Sequence, residues 1–430
     1  MNNAKPLYRV WVEGAELPVH ATPSCHFVLV GSQGTVRIRV EPLVPQATCV
    51  VRPWRLGLTP ERDGEGCLTF DVTFPETVIL EFDGDLKTPL FLLSAPELYP
   101  LPVGDVLAFS PGFHNAGTIT MHSGQTLYLA PGAWVQGIIQ ADSCDDLRIC
   151  GSGVLDAVDP EITDDRAFDQ PRHNAILLSR CKNVQLEGIT ILNGPGWHVV
   201  PVACEQVVIQ QVKIIGHLGT GDGIDVVGCR HVRIQDCFVR VKDDCVAIKA
   251  VDYQFPFGEA DVIDGVVERC VFWNDTWGNV MEIGYETRCE EICDITFRDI
   301  DVVHCEYEGW QSGGVFTIHN GDRAHVHHVL YEDIRIEGAD EKLIDFKILD
   351  SRYSKDRVRG KISDITLRRI QVVNGPFPVS ILRGWEEGHL IERVRIEALV
   401  ILGQRITDWR EARMVVELTK GLEFLQRVPS

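Results

Sequence analysis

"CEQVVIQQVKIIG" (204–216) is preceded, 23 residues earlier, by "CKNVQLEGITILN" (181–193) and followed, 25 residues later, by "CRHVRIQDCFVRV" (229–241). Each unit is a polar turn, an alternating x-V-x-I strand, a short break and a second apolar strand. The same pattern appears in "CDDLRICGSGVLD" (144–156), and without the leading Cys in "IDGVVERCVFWN" (263–274) and "ICDITFRDIDVVH" (292–304). It recurs in "HVHHVLYEDIRIEG" (325–338), "ISDITLRRIQVVN" (362–374) and "IERVRIEALVILG" (391–403). Alternation with a period of two marks strands, and a repeat of about 20–30 residues with no amphipathic helix between units marks a solenoid of stacked strands. The L-x-x-L-x-L and Asn of leucine-rich repeats are absent. The pattern therefore predicts an all-β chain wound as a parallel β-helix, in which inward positions form ladders of like residues, including a buried Cys ladder.

The first hundred residues read differently. "YRVWVEG", "CHFVLVG", "GTVRIRVEP", "CLTFDVTF" and "TVILEFDG" alternate between Gly, Pro and Asp turns, the pattern of a small antiparallel β-sandwich. Pro96, Pro100 and Pro102 mark a junction, which divides the chain into a sandwich over 1–100 and a β-helix over 101–430. "SGQTLYLAPGAWVQGII" (123–139) reads as the first coil.

The 430 residues are 45% hydrophobic and carry a formal net charge of -21, which argues against nucleic acid and anionic membrane as partners. No basic segment followed by an apolar run opens the chain, and no stretch is apolar enough to span a membrane, so the expectation is a soluble, unexported, cytoplasmic protein. The 14 cysteines lack the spacing of a disulfide scaffold, and Cys289 and Cys293 form a CxxxC with no second half.

Asp222, Asp225, Asp243 and Asp244 are crowded into "GTGDGIDVVGCRHVRIQDCFVRVKDDCVAIKA" (219–250), among residues that favour strands. Asp222-Gly223 alone is ordinary turn chemistry. Asp243-Asp244 is not: neighbours on a strand face opposite ways, so the pair must lie on a bend if neither carboxylate is to be buried inside the solenoid. With a coil of 21–25 residues, Asp222 lies one coil from Asp243 and Asp244, 21 and 22 residues on, and stacking brings the side chains within ~5 Å. Like charges that close raise one pKa, so a protonated acid stands beside ionised bases, the pairing that glycosidic hydrolysis requires.

"GDGIDVVGCRHVRIQDCFVRVKDDCVAIK" resembles the signature of glycoside hydrolase family 28, the polygalacturonases and rhamnogalacturonan hydrolases, whose N-T-D-G-I-D is followed by G-D-D-C-I-A-I-K. "SGQTLYLAPGAWVQGII", "GSGVLD" and "GPGWHVVP" are similar to its earlier coils. The resemblance implies a right-handed parallel β-helix and an inverting reaction, with Asp243 as general acid and Asp222 and Asp244 activating water. The family's G-H-G falls on Gly278-Asn279-Val280, and its substrate-holding R-x-K falls near "GGVFTIHNGDR" (313–323), where it is not present. "VFWNDTWGNVMEIGYETR" (271–288) with "ITFRDIDVVH" (295–304), behind a leading sandwich, is similar to family 49, the dextranases and isopullulanase, which act on neutral α-glucans. Pectic and neutral α-glycans therefore both stand as substrates.

Trp277, Asn279, Glu282, Tyr285, Glu286 and Arg288, one coil further on, are candidates to line sugar subsites, an aromatic face suiting sugar C–H surfaces. Lys249 is a candidate to hold a hydroxyl or stabilise Asp222. His319, Asn320, Asp322 and Arg323 form a polar cluster on a turn, and His198 in "GPGWHVV" is either cleft-facing or core. His325 and His327 share a strand face, but a metal would want a third ligand nearby. "GTGDG" (219–223) has no helix after it and fails as a phosphate loop. No cofactor or metal is expected, and the partner is a carbohydrate. Two rivals remain. One is a lyase with Ca²⁺ held by Asp222, Asp225, Asp243 and Asp244 and with Lys249 or Arg288 as base; the other is a carbohydrate-binding solenoid without catalysis.

Overall fold

The computed structural model describes residues 5–95, 101–158, 173–251, 255, 257–309 and 313–426. From Val106 onward the described strands join in one continuous sheet, parallel save for the pair Val400–Ile401 and Gln404–Arg405, that winds on itself, coil upon coil. Three strands make a coil, so the wall has three faces. One face stacks Asp145–Gly151, Lys182–Glu187, Glu205–Gln210, Arg230–Gln235 and Val262–Glu268, and the second stacks Thr190–Leu192, Lys213–Ile215, Phe238–Val241 and Val271–Asn274. The third stacks Val199–Val202, Ile224–Val227, Val246–Ala250, Met281–Thr287, Gly314–Asn320 and Lys342–Ile348. This is a parallel β-helix, right-handed as parallel crossover connections are.

The repeat read from the sequence is the register of the first face. Val184, Val207 and Val232 lie side by side, as do Leu186, Ile209 and Ile234, all buried within the helix. The second ladder continues through Val267, Phe297, Tyr331 and Leu367, with Phe297 stacked on Tyr331 at 5.2 Å. The break after this face is one left-handed residue per coil: Gln211, Asp236, Arg269, Asp299, Asp333 and Arg369 have φ between 52 and 56°. That conformation turns an L-residue chain sharply enough to begin the second face.

The Cys ladder is present. The Cys181 N–H donates to Cys204 Sγ and the Cys204 N–H to Cys229 Sγ, both at 3.3 Å, and the fourteen cysteines are free thiols.

Two expectations shift. The parallel ladder begins one coil before Ser123, with Val106–Phe109 pairing with Thr126–Leu129. Most side chains of Gly112–Thr120 are exposed or half-exposed, so this end coil lacks the apolar alternation by which the other coils are read. The leading segment is two five-stranded sheets, but it is not purely antiparallel: His26–Val30 runs parallel to Leu90–Ser94. Those strands are far apart in sequence, and the chain visits the opposite sheet between them. Pro96 and Pro100 lie outside the described residues.

The sheets pack together through Val10, Ile38, Phe70, Leu80 and Leu92. Phe27, Ile79 and Phe91 of the second sheet then pack on Ile215, Phe238 and Trp273 of the helix's second face, with Phe91 edge-on to Phe238 at 5.1 Å. Buried Arg52 pairs with Glu81 at 2.9 Å and, across the junction, with Glu337 at 2.7 Å. The third face is left to other purposes.

Phe297→Ala is expected to cost about 3–5 kcal/mol, as loss of a fully buried aromatic does. A lowered urea midpoint with an unchanged slope would show it; an unchanged midpoint would contradict the ladder's role.

Candidate active site

Asp222, the pair Asp243-Asp244 and Asn279 each occupy a bend that feeds a strand of the third face: Ile224–Val227, Val246–Ala250 and Met281–Thr287. The bends stack through their own backbones. His198 N donates to Asp222 O at 2.9 Å, Gly223 N to Asp244 O at 2.8 Å, and Cys245 N to Asn279 O at 2.9 Å. Residues 22 apart and then 35 apart in sequence thus form one column. Carboxylate oxygens of Asp222, Asp243 and Asp244 converge within 4.8 Å of one another.

The partners of these carboxylates differ. Lys249 Nζ lies 2.7 Å from Asp222 Oδ2, 3.0 Å from Asp225 Oδ1 and 4.0 Å from Asp244 Oδ2. Burial alone would depress the ammonium, but Asp222 and then Asp225 outweigh it and hold its pKa well above the ordinary lysine range. Asp244 Oδ1 accepts the Asn279 N–H at 2.8 Å and Asn279 Nδ2 at 3.2 Å. Among the described residues Asp243 receives no side-chain donor, only the Asp244 N–H. Burial, and then the charge of Asp222, push Asp225, Asp243 and Asp244 all well above the usual carboxylate range. Side-chain donors thus stand at Asp222 and Asp244 and none stands at Asp243, which sets the three carboxylates apart.

Gly278 explains how the pair fits so close beneath the next coil. A Cβ there would stand 2.4 Å from Asp243 C and Asp244 N and 2.5 Å from Asp243 Oδ1. Only a residue without a side chain lets the two bends touch.

His198 is fully buried. Gly194 N donates to its Nε2 at 3.1 Å, so Nδ1 carries the hydrogen that is donated to Asp222 O at 2.7 Å. Burial pushes its pKa down to about 4. Its ring therefore props the Asp222 bend from beneath.

Further along the third face, Glu282, His319 and Asp345 are buried in a row. His319 Nδ1 lies 3.0 Å from both Glu282 oxygens, and Nε2 lies 3.4 Å from Asp345 Oδ2. Burial opposes its charge, yet Glu282 and Asp345 hold the His319 pKa up at about 9. Tyr285 stacks flat on the ring at 4.3 Å. Glu286 reaches Lys249 and Tyr353 electrostatically, and Tyr353 in turn senses Asp243.

The other expected site residues are spent on structure. Trp277 is buried against Gly219, and its Nε1 donates to Glu308 at 2.6 Å. Asn320 accepts from Thr287 Oγ1 at 2.7 Å and donates to two carbonyls, while Asp322 accepts the backbone N–H groups of Thr287, Lys355 and Asp356. Arg288 and Arg323 share Asp356 and Glu259 in an ion-pair network. Sequence reasoning missed Trp197, whose ring lies 3.9 Å from Lys249 Nζ, together with Asp345 and Tyr353. Asp345 was within reach of ladder reasoning, as it pairs with Thr317 in the next coil; Tyr353 comes from a loop outside the repeat.

Residues 105–387 match the family model described as Glycosyl hydrolases family 28. The chain is 24% identical over 239 residues to a polygalacturonase of Juniperus ashei, covering 52% of this chain and 44% of that protein. It spans less than two thirds of the length of the other plant polygalacturonases it first matches. In solved structures, the fold matches a Yersinia enterocolitica family 28 exopolygalacturonase with a TM-score of 0.58 at 13% identity, over 96% of each chain. It also matches Dex49A from Penicillium minioluteum with a TM-score of 0.61 at 13% identity, over 89% of this chain and 79% of that one. At such identities these two share the fold alone.

Gly278→Ala is expected to lower kcat about 100-fold with the β-sheet circular dichroism intact, since displacing a reacting group by ~1 Å costs that much. Full turnover in that variant would show that the Asp pair tolerates the shift.

Proposed function

Because the chain belongs to family 28 of the glycosyl hydrolases, we propose that it cleaves an α-linked oligo- or polysaccharide with inversion, Asp243 acting as general acid and Asp222 and Asp244 as bases. The observation that carries this reading is the asymmetry of donors around three carboxylates whose oxygens lie within 4.8 Å. Asp243 protonates the leaving oxygen. Asp222, beside Lys249, and Asp244, beside the two Asn279 donors, accept hydrogen bonds from a water; one of them takes its proton as the water oxygen attacks the anomeric carbon. Inverting pairs usually stand about 6.5–9.5 Å apart. Here oxygens of all three carboxylates lie within 4.8 Å of one another, so the water is placed by two bases and not by a wider acid–base gap: donating two hydrogen bonds of about 2.8 Å at a near-tetrahedral angle, it spans about 4.6 Å between acceptors.

The cations on the cleft floor are already neutralised: Lys249 by Asp222 and Asp225, His319 by Glu282 and Asp345, Lys347 by Asp345. That supports an uncharged sugar next to Asp243. A galacturonate is the second reading, favoured by the polygalacturonase relatives and by exposed Arg352, whose guanidinium covers Tyr353 at 4.7 Å. Release of reducing ends from neutral α-linked and galacturonate oligosaccharides separates the two. On the first reading neutral substrates have the higher kcat/KM; on the second, Arg352→Ala raises KM for galacturonate alone.

Asp243→Asn is expected to lower kcat by about 10³-fold or more, while product analysis by NMR within the first minutes shows the inverted anomer for the wild type. A retained anomer would exclude the single displacement. The proton on Asp243 is held more tightly in the folded chain than the ordinary 3.8 allows. Ionising it therefore weakens the fold as pH rises above about 4 toward the raised value, and activity falls on the same alkaline side. Asp243→Asn should accordingly melt higher than wild type at pH 8 and equal to it at pH 4. Chelators should leave turnover unchanged; a loss restored by Ca²⁺, with an unsaturated product, would favour a lyase.

A further inference from the structure

His325 and His327 lie on a strand of the first face, far along the chain from the carboxylates, and the hydrolytic reading makes no use of them. The fold supplies the ligands that the sequence left missing. His325–Ile336 pairs with Glu291–Cys305 in parallel, with His325 opposite Glu291 and His327 opposite Cys293. Glu291, Cys293 and His327 each offer one ligand atom, and the three atoms lie within 4.8 Å of one another. We propose that these residues bind a zinc ion that staples two successive coils.

The donor set is chemically selective. An imidazole nitrogen, a thiolate and a carboxylate suit Zn²⁺, whereas Ca²⁺ and Mg²⁺ want oxygens alone. The two ring nitrogens of His327 have distinct partners. Nδ1 lies 2.6 Å from His328 Nδ1, and Nε2 lies 3.2 Å from Glu291 Oε2. When the Nδ1–H donates to His328, the Nε2 lone pair faces the carboxylate, an approach of two acceptors that a cation between them relieves. A partner on the far nitrogen is also what fixes a ligating histidine's tautomer. Cys293 is a free thiol, only 4% exposed, and Glu291 at 41% side-chain exposure leaves an entry path from solvent. Water completes a four-coordinate site, and the thiol proton is released to solvent as the metal binds.

The test uses the full chain without an affinity tag, stripped by chelator and dialysed. Titration with Zn²⁺ should give one ion per chain, and Co²⁺ in its place should give a thiolate-to-cobalt charge-transfer band. Cys293→Ser should abolish the band, and Cys293→Ser and His327→Ala should each weaken zinc at least about tenfold, with glycosidic turnover unchanged. Zinc should raise the melting temperature of the wild type and not of Cys293→Ser. Zinc affinity equal to the wild type's in both variants, or binding lost only in Asp222→Asn, would overturn the proposal, the latter placing the ion at the three carboxylates.

Discussion

Two backbone hydrogen bonds, from Gly223 N to Asp244 O and from Cys245 N to Asn279 O, hold three successive bends in one column. The remainder of the site depends on that register. A strand slipped by one residue would turn its side chains to the other face, so the carboxylates of Asp222 and Asp244 could no longer converge. The apolar ladders prevent the slip: Ile224, Val246 and Met281 are buried inside the helix, and moving any one outward would expose it. Packing within the solenoid therefore sets the geometry of the carboxylates on its bends.

Within that frame the electrostatics follow from the placement of one lysine. Four buried or half-buried aspartates in close proximity would repel one another strongly. Lys249 offsets the charge on Asp222 and Asp225, and its own ammonium rests on the face of Trp197. Asn279, on which family 28's G-H-G falls, supplies two N–H donors to Asp244 and accepts the Gly314 N–H at 3.0 Å. It thus ties three coils together. Further along, buried His319 is locked between Glu282 and Asp345 beneath Tyr285.

How much of this was legible in the sequence depended on the range of the interaction. The x-V-x-I repeat announced the coil because alternation is local, and Asp222 with Asp243-Asp244 announced the site because one short coil separates them. Asn279 was marked by alignment with a motif, but its donation to Asp244 spans 35 residues, since the connection between the strands ending at Ala250 and starting at Val262 lengthens that coil. Trp277, Asn320, Asp322 and His198 look polar or aromatic enough for a subsite, yet their polar atoms are engaged by other parts of the chain.

The sequence by itself determined the solenoid, its apolar ladders and the aspartates that one period brings together, because strand alternation and repeat length are properties of neighbouring residues. Only the tertiary structure decided which carboxylate lacks a side-chain donor, that His319 is sandwiched between Glu282 and Asp345, and that Cys293 meets His327. Those outcomes rest on coils of unequal length brought into register by backbone pairing, and on burial. A protonation state or a ligand set is fixed by what surrounds a group in space, which the order of residues along the chain does not record.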